Sequence, residues 1–508
     1  MNLWYLQIVV NPDSLIWLKE AGSPEAISSQ LVENVGPITA EYVRLFKRVA
    51  IIAQGEVVTQ FLAAARLCSK VDYPIDVYLC HTEATKDSLS VRNAQYTILI
   101  PSRASSSSQM DAQELILKLK ENKIDALWPG WGGEAENPEI VQLCESSGIT
   151  FIGPSAASMR SVTTRTHVKE IAEKCGIQTV KGIDHSLVQL DEIKEAIMQL
   201  GLPVVIKAAK NGTGSPVSFI RNEDELDKRF EEVKSQLGGR PFPEKFLVEQ
   251  LIPFTRHLEV PILVDRSRNS WALSSRDCSI QRRTRTILEE TPTLSLSKQM
   301  HQEMGQAAQD IAKAVNYTNG GTAKFLVNSE SNALYFMEFT PHLGATYNIT
   351  EELFGMNLLL KQLEIAQGID LSSPTAPEPH GHVVEVVLSA ENPDQDFHPS
   401  LGKILEFEVP QNPGIRVDNR YQSGNSMIPE LGPHIAIILA HGANRCDALT
   451  GLIKALEHAS VDLDGGSTNQ EMLSSIAQTL LDSNSLATTK WLKDFLEGNI
   501  TNSYGLQS

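Results

Sequence analysis

From residue 48 onward, short apolar runs alternate with amphipathic stretches in the rhythm of strand, helix, strand. "RVAIIA" (48–53), "IDVYLC" (75–80), "YTILIP" (96–101) and "IDALWPG" (124–130) are strand candidates, and "GITFIGP" (148–154) closes the series. The stretch "TQFLAAARLCSK" between the first two reads as a helix. Strands separated by helices predict a parallel sheet with crossover helices. A second block starts near Met159. "THVKEIAEKCG" (166–176) is an amphipathic helix that Gly176 stops at C′. "PVVIKAA" (203–209), "VSFI" (217–220) and "FLVEQLI" (246–252) are strands around a glycine-bearing turn. "RHLEVPILVD" (256–265) and "SWALSSRDCSIQRR" (270–283) follow, then a helix over 297–316 and the strands "GTAKFLV" and "ALYFMEF". The turn "NSESN" makes these last two an antiparallel hairpin that sets residue 324 opposite Glu338.

Proline-rich "SSPTAPEPHG" (372–381) is the strongest boundary in the chain, and a mostly β segment with closing helices follows it to about 497. The organisation predicted is an extension over 1–46 without a recognisable motif, then units over 47–158, 159–371 and 380–497. Within the second unit, about 178–250 forms a lid.

Composition narrows the function classes. The formal net charge of -18 argues against nucleic acid and anionic membrane surfaces as partners. Six widely spaced cysteines with no CxxC pair indicate neither a zinc site nor a disulfide framework. A reduced, cytoplasmic setting is the expectation. "MNLWYLQIVV" lacks a basic flank and is too short to span a membrane.

Candidate chemistry sits in two places. In "VVIKAAKNGTGSPV" a strand carries Lys207 into a loop with Gly212 and Gly214. A lysine beside backbone N–H groups can hold nucleotide phosphates. The residues alone favour a surface hairpin with a solvated lysine over that reading. In "RDCSIQRRTRTILEETPT" (276–293), Arg276, Arg282, Arg283 and Arg285 are followed by Glu289 and Glu290, and this concentrates cations in an acidic chain.

The order and spacing of "WPGWGGEAENPE", "GITFIGP", "PVVIKAA", "RHLEVPILVD", "RDCSIQRR", "GGTAKFLV", "YFMEF" and "ENPDQDFHPSLGKI" resemble the biotin carboxylase family over about 47–497. That family includes the corresponding region of acetyl-CoA carboxylase. The resemblance implies an α/β and α+β architecture: a Rossmann-like N-terminal domain, an ATP-grasp domain with a mobile lid, and a mostly β C-terminal domain. It implies a reaction in which ATP and bicarbonate carboxylate a biotin carried by another domain. No biotin-attachment motif is visible, so biotin is not expected on this chain. Lys207 matches the phosphate-binding lysine and Glu249 the hinge glutamate. Arg165 stands where a lysine is usual. His257 and Glu259 match a strand of the nucleotide site, and Glu338 matches a metal-binding glutamate. Arg416 matches an arginine that stabilises the biotin enolate, and Arg283 belongs to the same catalytic signature. Gly55, Glu56, Glu136 and Asn137 match N-terminal signatures, with structural roles expected for Glu136, Asn137 and Glu259.

Other positions depart from the pattern R-D-C-S-x-Q-R-R-H-Q-K-x-x-E-E-A-P. Thr284 replaces its histidine, Arg285 its glutamine and Thr286 its lysine. A threonine cannot supply a cation where negative charge develops, and Arg285 can stand in only if a bulge turns it to the same face. The second metal carboxylate is Lys324, which makes magnesium an unfavoured cofactor. It predicts either a Lys324–Glu338 pair in place of the metal or a routine cross-strand charge pair. Thr340, His342 and Thr346 replace an asparagine, the bicarbonate arginine and the general-base glutamate. Lys210, Asn211 and Pro216 thin the glycine loop.

Three readings follow. One is a degenerate subunit or partner of a biotin-dependent acyl-CoA carboxylase, with nucleotide binding retained and catalysis lost. In it, Arg282 and Arg283 pair with carboxylates such as Glu289 and Glu290. The others are an active biotin carboxylase and an ATP-grasp ligase for another acid. ATP is the candidate ligand. Carboxylase subunits, a biotin carrier protein and a second copy of the chain are the candidate partners.

Overall fold

The structure, a computed structural model, describes residues 4–11, 14–18, 40–69, 74–101, 110–187, 189–208, 217–236, 246–282, 285–483 and 486–500. Strands β4 (Arg48–Ile51), β5 (Asp76–His81), β6 (Tyr96–Leu99), β7 (Ala126–Trp128) and β8 (Thr150–Phe151) form a parallel sheet in the order β6-β5-β4-β7-β8. The connecting helices start where the sequence offers caps. Asp111 accepts from the N–H groups of Gln113 and Glu114, and Asn137 from that of Glu139 ahead of Pro138. Phe61 stacks on Trp128 with ring centroids 4.7 Å apart and ties the helix Val57–Cys68 to the sheet. Each fully buried large apolar side chain of this kind contributes about 1.5–3 kcal/mol.

Before this sheet, β1 (Trp4–Asn11), β2 (Ser14–Leu18) and β3 (Ala40–Arg44) make a three-stranded antiparallel sheet with β1 in the middle. Sequence reading assigned no element to residues 1–46. The aromatic and β-branched run "WYLQIVV" was the available signal.

The stretch expected to form a lid contains a four-stranded antiparallel sheet of β9 (Gly182–Leu187), β10 (Val204–Ala208), β11 (Val217–Ile220) and β12 (Phe246–Gln250), ordered β11-β10-β12-β9. Helices Leu190–Leu200 and Leu226–Gln236 cover it. Ile193, Ile197, Ile206, Phe230, Phe246 and Val248 give it a core of its own, separate from those of the other sheets. A unit that buries its own apolar face can move as a body.

The body is a nine-stranded sheet. Its strands include β13 (Thr255–Val264), β14 (Ser270–Ala272), β15 (Arg276–Arg282), β16 (Arg285–Thr291), β17 (Asn319–Asn328), β18 (Leu334–Thr340) and β19 (His382–Ser389). The order is β18-β17-β13-β15-β16-β19, continued by His434–Gly442 and Ile415–Asn419, with β14 paired to β13. The proline-rich segment at 372–381 is therefore a boundary in the chain and not in the sheet, because β19 pairs directly with β16. The segment itself is tied down: Trp271 Nε1 donates to the Ser373 carbonyl at 2.7 Å, and Leu371 N–H donates to Asp265 at 3.0 Å. No disulfide joins any of the six cysteines. No helix among the described residues is long and apolar enough to cross a membrane.

Candidate functional site

Two charged clusters lie near the junction of the four-stranded sheet and the nine-stranded sheet, and the Lys169–Glu249 pair joins the two parts. In the lid, β10 and β12 pair with Val205 opposite Glu249, which places Lys207, two residues on, on the same face as Glu249. Lys207 Nζ lies 2.6 Å from Glu249 Oε2. Glu249 Oε1 receives Lys169 Nζ at 3.1 Å, and Lys169 also donates to the Val180 carbonyl at 2.9 Å. Lys169 stands one turn after Arg165 on the helix Arg165–Lys174, which packs on β18. Burial works to raise the Glu249 pKa, but the two ammonium groups win and hold it at about 2. Lys207 is thus a half-buried ion-pair partner, and the solvated hairpin lysine favoured by the residues alone is corrected.

In the body, register sets four charged residues abreast. Arg276 pairs with Glu259 across β15 and β13, Glu259 with Lys324 across β13 and β17, and Lys324 with Glu338 across β17 and β18. The result is a row of alternating sign. Arg276 Nη2 is 2.6 Å from Glu259 Oε2. Lys324 Nζ is 3.6 Å from Glu259 Oε1 and 3.0 Å from Glu338 Oε1. Arg165 Nη2 closes the row at 3.4 Å from Glu338 Oε2. Burial opposes charge at each position, yet Lys324 holds Glu259 at about 2 and, with Arg165, holds Glu338 well below the usual carboxylate range. The same two carboxylates push the Lys324 pKa up against burial. His257, next but one to Glu259, is buried, and burial lowers its pKa. Its Nε2 is 3.7 Å from Glu259 Oε1 and has no hydrogen-bond partner among the described residues.

The substituted positions have definite neighbours. Thr346 offers its carbonyl to Arg276 Nη1 at 2.8 Å and its hydroxyl at 3.4 Å, so it positions the arginine. His342 is buried and links the body to the first sheet, with Nε2 3.3 Å from Glu136 Oε1 and Nδ1 2.6 Å from the Leu343 carbonyl. Thr340 ends β18 opposite Thr322. Thr286 pairs with Gln281 and Arg285 with Arg282; the register shifts between β15 and β16 fall before Gln281. Neighbours on a regular strand face opposite ways; Arg285 is exposed and Thr286 half-buried, so the two do not share a face.

The arginine cluster needs a correction. Arg282 pairs with Asp396, Nη2 to Oδ1 at 2.8 Å, and lies over the Phe397 ring at 4.1 Å. Glu289 instead accepts from Cys278 Sγ at 3.0 Å and lies 3.9 Å from Arg276. Glu290 is held by Arg445 at 2.6 Å and His382 at 3.0 Å. Arg283 and Thr284, and the loop residues Lys210, Asn211, Gly212, Gly214 and Pro216, lie outside the described residues. Arg416 is gripped by three carboxylates: Glu352 at 3.0 Å, Glu351 at 3.2 Å and Asp418 at 2.8 Å. Burial raises Glu351 to about 7 in spite of Arg416 and the Leu358 N–H. Sequence reading missed Lys169 and the role of Arg276; the i, i+4 spacing from Arg165 was the signal for the first.

Divalent metal does not fit this arrangement. An ammonium stands between the two carboxylates of the row, and no group of three or more His, Cys, Asp or Glu side chains among the described residues is arranged to hold a metal.

Three family models match consecutive stretches. Biotin carboxylase, N-terminal domain matches 45–159; carbamoyl-phosphate synthase L chain, ATP binding domain matches 164–374; and biotin carboxylase C-terminal domain matches 385–494. Biotin carboxylase 2 of Bacillus subtilis is 31% identical over 453 residues, covering 89% of this chain and 100% of the relative. The biotin carboxylase domain dimer of Hydrogenobacter thermophilus 2-oxoglutarate carboxylase, in complex with MgADP, ADP and bicarbonate, superposes with a TM-score of 0.82. It has 27% identity and covers 90% of this chain and 99% of that one. A thermophilic 2-oxoglutarate carboxylase domain bound to ADP without magnesium, its phosphate tail disordered, matches with a TM-score of 0.69. It has 28% identity and covers 91% of this chain and 97% of that one.

Proposed function

The chain belongs to the biotin carboxylase family, and from that premise we propose that it is a non-catalytic member. In this reading it partners a biotin-dependent acyl-CoA carboxylase and still admits a nucleotide between lid and body. The observation that carries this is the row Arg276–Glu259–Lys324–Glu338–Arg165. Lys324 consumes the carboxylate pair by ion pairing, and Thr346 offers only a carbonyl and a hydroxyl where a general base is required. Loss of a general base costs about 100-fold to 10,000-fold, and loss of an electrostatic donor is of similar size. A nucleotide is retained because Lys207, Lys169 and Arg165 keep cations on both sides of the lid hinge. Relatives that bind ADP with and without magnesium support a separation between holding the nucleoside and ordering its phosphates.

The partner is a catalytic carboxylase subunit or a biotin carrier protein, with pairing to a second copy compatible with the dimeric relative. The test is twofold. Purified chain is assayed for bicarbonate-dependent ATP hydrolysis with free biotin, and it is mixed with a catalytic carboxylase subunit and biotin carrier for sedimentation analysis. No turnover together with a defined complex is expected. Hydrolysis that requires both bicarbonate and magnesium would establish the active-carboxylase reading instead.

A further inference from the structure

We propose that Lys324 is a built-in cation that orders nucleotide phosphates without a divalent metal, so the cleft is a metal-independent site for a nucleoside diphosphate or triphosphate. This rests on the nucleotide-retaining part of the proposed function and adds to it which residue replaces the ion.

Charge supports it. Exchanging a carboxylate for an ammonium changes formal charge by two units, the charge a divalent ion would bring. Geometry supports it as well. An ammonium has three donors; Lys324 lies 3.0 Å from Glu338 and, beyond hydrogen-bond distance, 3.6 Å from Glu259. The Lys324 side chain keeps 21% of its surface accessible, so an anion can approach it. Lys207, held by Glu249 at 2.6 Å, is near enough to help Lys324 and Arg165 keep Glu338 ionised. Close by, His257 Nε2 has no hydrogen-bond partner among the described residues, although the residue is more than nine-tenths buried. A buried ring nitrogen left unpaired in protein fits a site completed by an acceptor from outside, such as a phosphate oxygen. Glu338 and Glu259 hold the ammonium at a fixed point, so it needs no reorganisation when an anion arrives.

The experiment is calorimetric titration of the full chain with ADP and with ATP, each in EDTA and in excess magnesium. For the native chain the two dissociation constants should agree within roughly threefold, a difference of less than about 1 kcal/mol. K324M should weaken binding in EDTA by roughly 10- to 100-fold, as expected for one charge-assisted hydrogen bond. K324R, which retains the charge, should keep metal-independent binding. K324E should make binding magnesium-dependent. Circular dichroism and thermal melts check that each variant folds, and the native-chain comparison decides the matter if K324M does not. Native binding that needs magnesium would overturn the proposal while leaving nucleotide retention intact. No binding of ADP or ATP under either condition would overturn both and leave only the partner role.

Discussion

The two charged clusters are built with opposite polarity. In the first, one carboxylate lies between two ammonium groups, Lys169–Glu249–Lys207, and ties the helix Arg165–Lys174 to β12 and β10. On the body side one ammonium lies between two carboxylates, Glu259–Lys324–Glu338. The first trio carries a surplus of positive charge and can give up a cation to a ligand without losing its centre. In the second, the cation is itself the centre, with arginines backing the carboxylates at both ends. A carboxylate at position 324 would put three acids in line and make a divalent ion necessary. The difference shows how a single residue type, placed by strand register, sets the sign of the charge at the centre of a row.

The largest expected effect tests the polarity of the lid trio. Glu249→Gln leaves one buried and one half-buried ammonium group, Lys169 and Lys207, without their shared counterion. Breaking a buried pair this way costs about 3–5 kcal/mol, to be read from the urea midpoint at constant m-value. Glu338→Gln should cost less, about 1–3 kcal/mol, because Lys324 keeps Glu259 and the site is partly open to water. An equal or larger loss for Glu338→Gln would break the comparison and make the body row the tighter structure.

Next in size is the response of Lys324→Glu to magnesium. The native melting temperature should be insensitive to the ion. The variant, with three carboxylates abreast, should regain about 2–3 kcal/mol once magnesium exceeds its dissociation constant by about 100-fold. A native chain that magnesium stabilises to the same extent would show that Lys324 does not exclude the ion.

How far the sequence led depended on how local each feature is. The parallel sheet was legible because each strand and its crossover helix lie close together in the chain. The hairpin was legible from its short turn, but the register next to the turn would set Lys324 opposite Met337, and a one-residue shift between Phe325 and Lys324 brings it to Glu338. The rest of the row was not legible. It depends on β13 lying between β15 and β17, a strand order that no local pattern specifies. Arg282 finds Asp396 in the following segment for the same reason, and the sheet runs on past the proline-rich stretch because β19 returns to β16. Lys324 could be read from one letter, but the arginines at both ends of its row needed the fold.

The smallest effect separates these clusters from the Arg416 network by the sign of its pH dependence. Glu249 and Glu259 have folded pKa values of about 2, below the unfolded value of about 4.3. Their stabilisation is complete above the unfolded value and disappears as pH falls from about 4.3 toward 2. Glu351 is displaced the other way, to about 7. Between about pH 4.3 and 7 the unfolded chain has released its proton and the folded chain has not, so stability from this group declines as pH rises. Glu351→Gln should therefore flatten the slope of stability between about pH 5 and 7 and leave the acid limb below about pH 4 unchanged. The side-chain oxygen of the introduced glutamine can still accept from the Leu358 N–H, and Arg416 keeps Glu352 and Asp418, so the change at neutral pH should stay within about 1 kcal/mol. Denaturant midpoints of both proteins at half-unit pH steps measure it. A variant whose slope over that range matches that of the native chain would mean that Glu351 is ionised in the Arg416 grip, as Glu259 is beside Lys324.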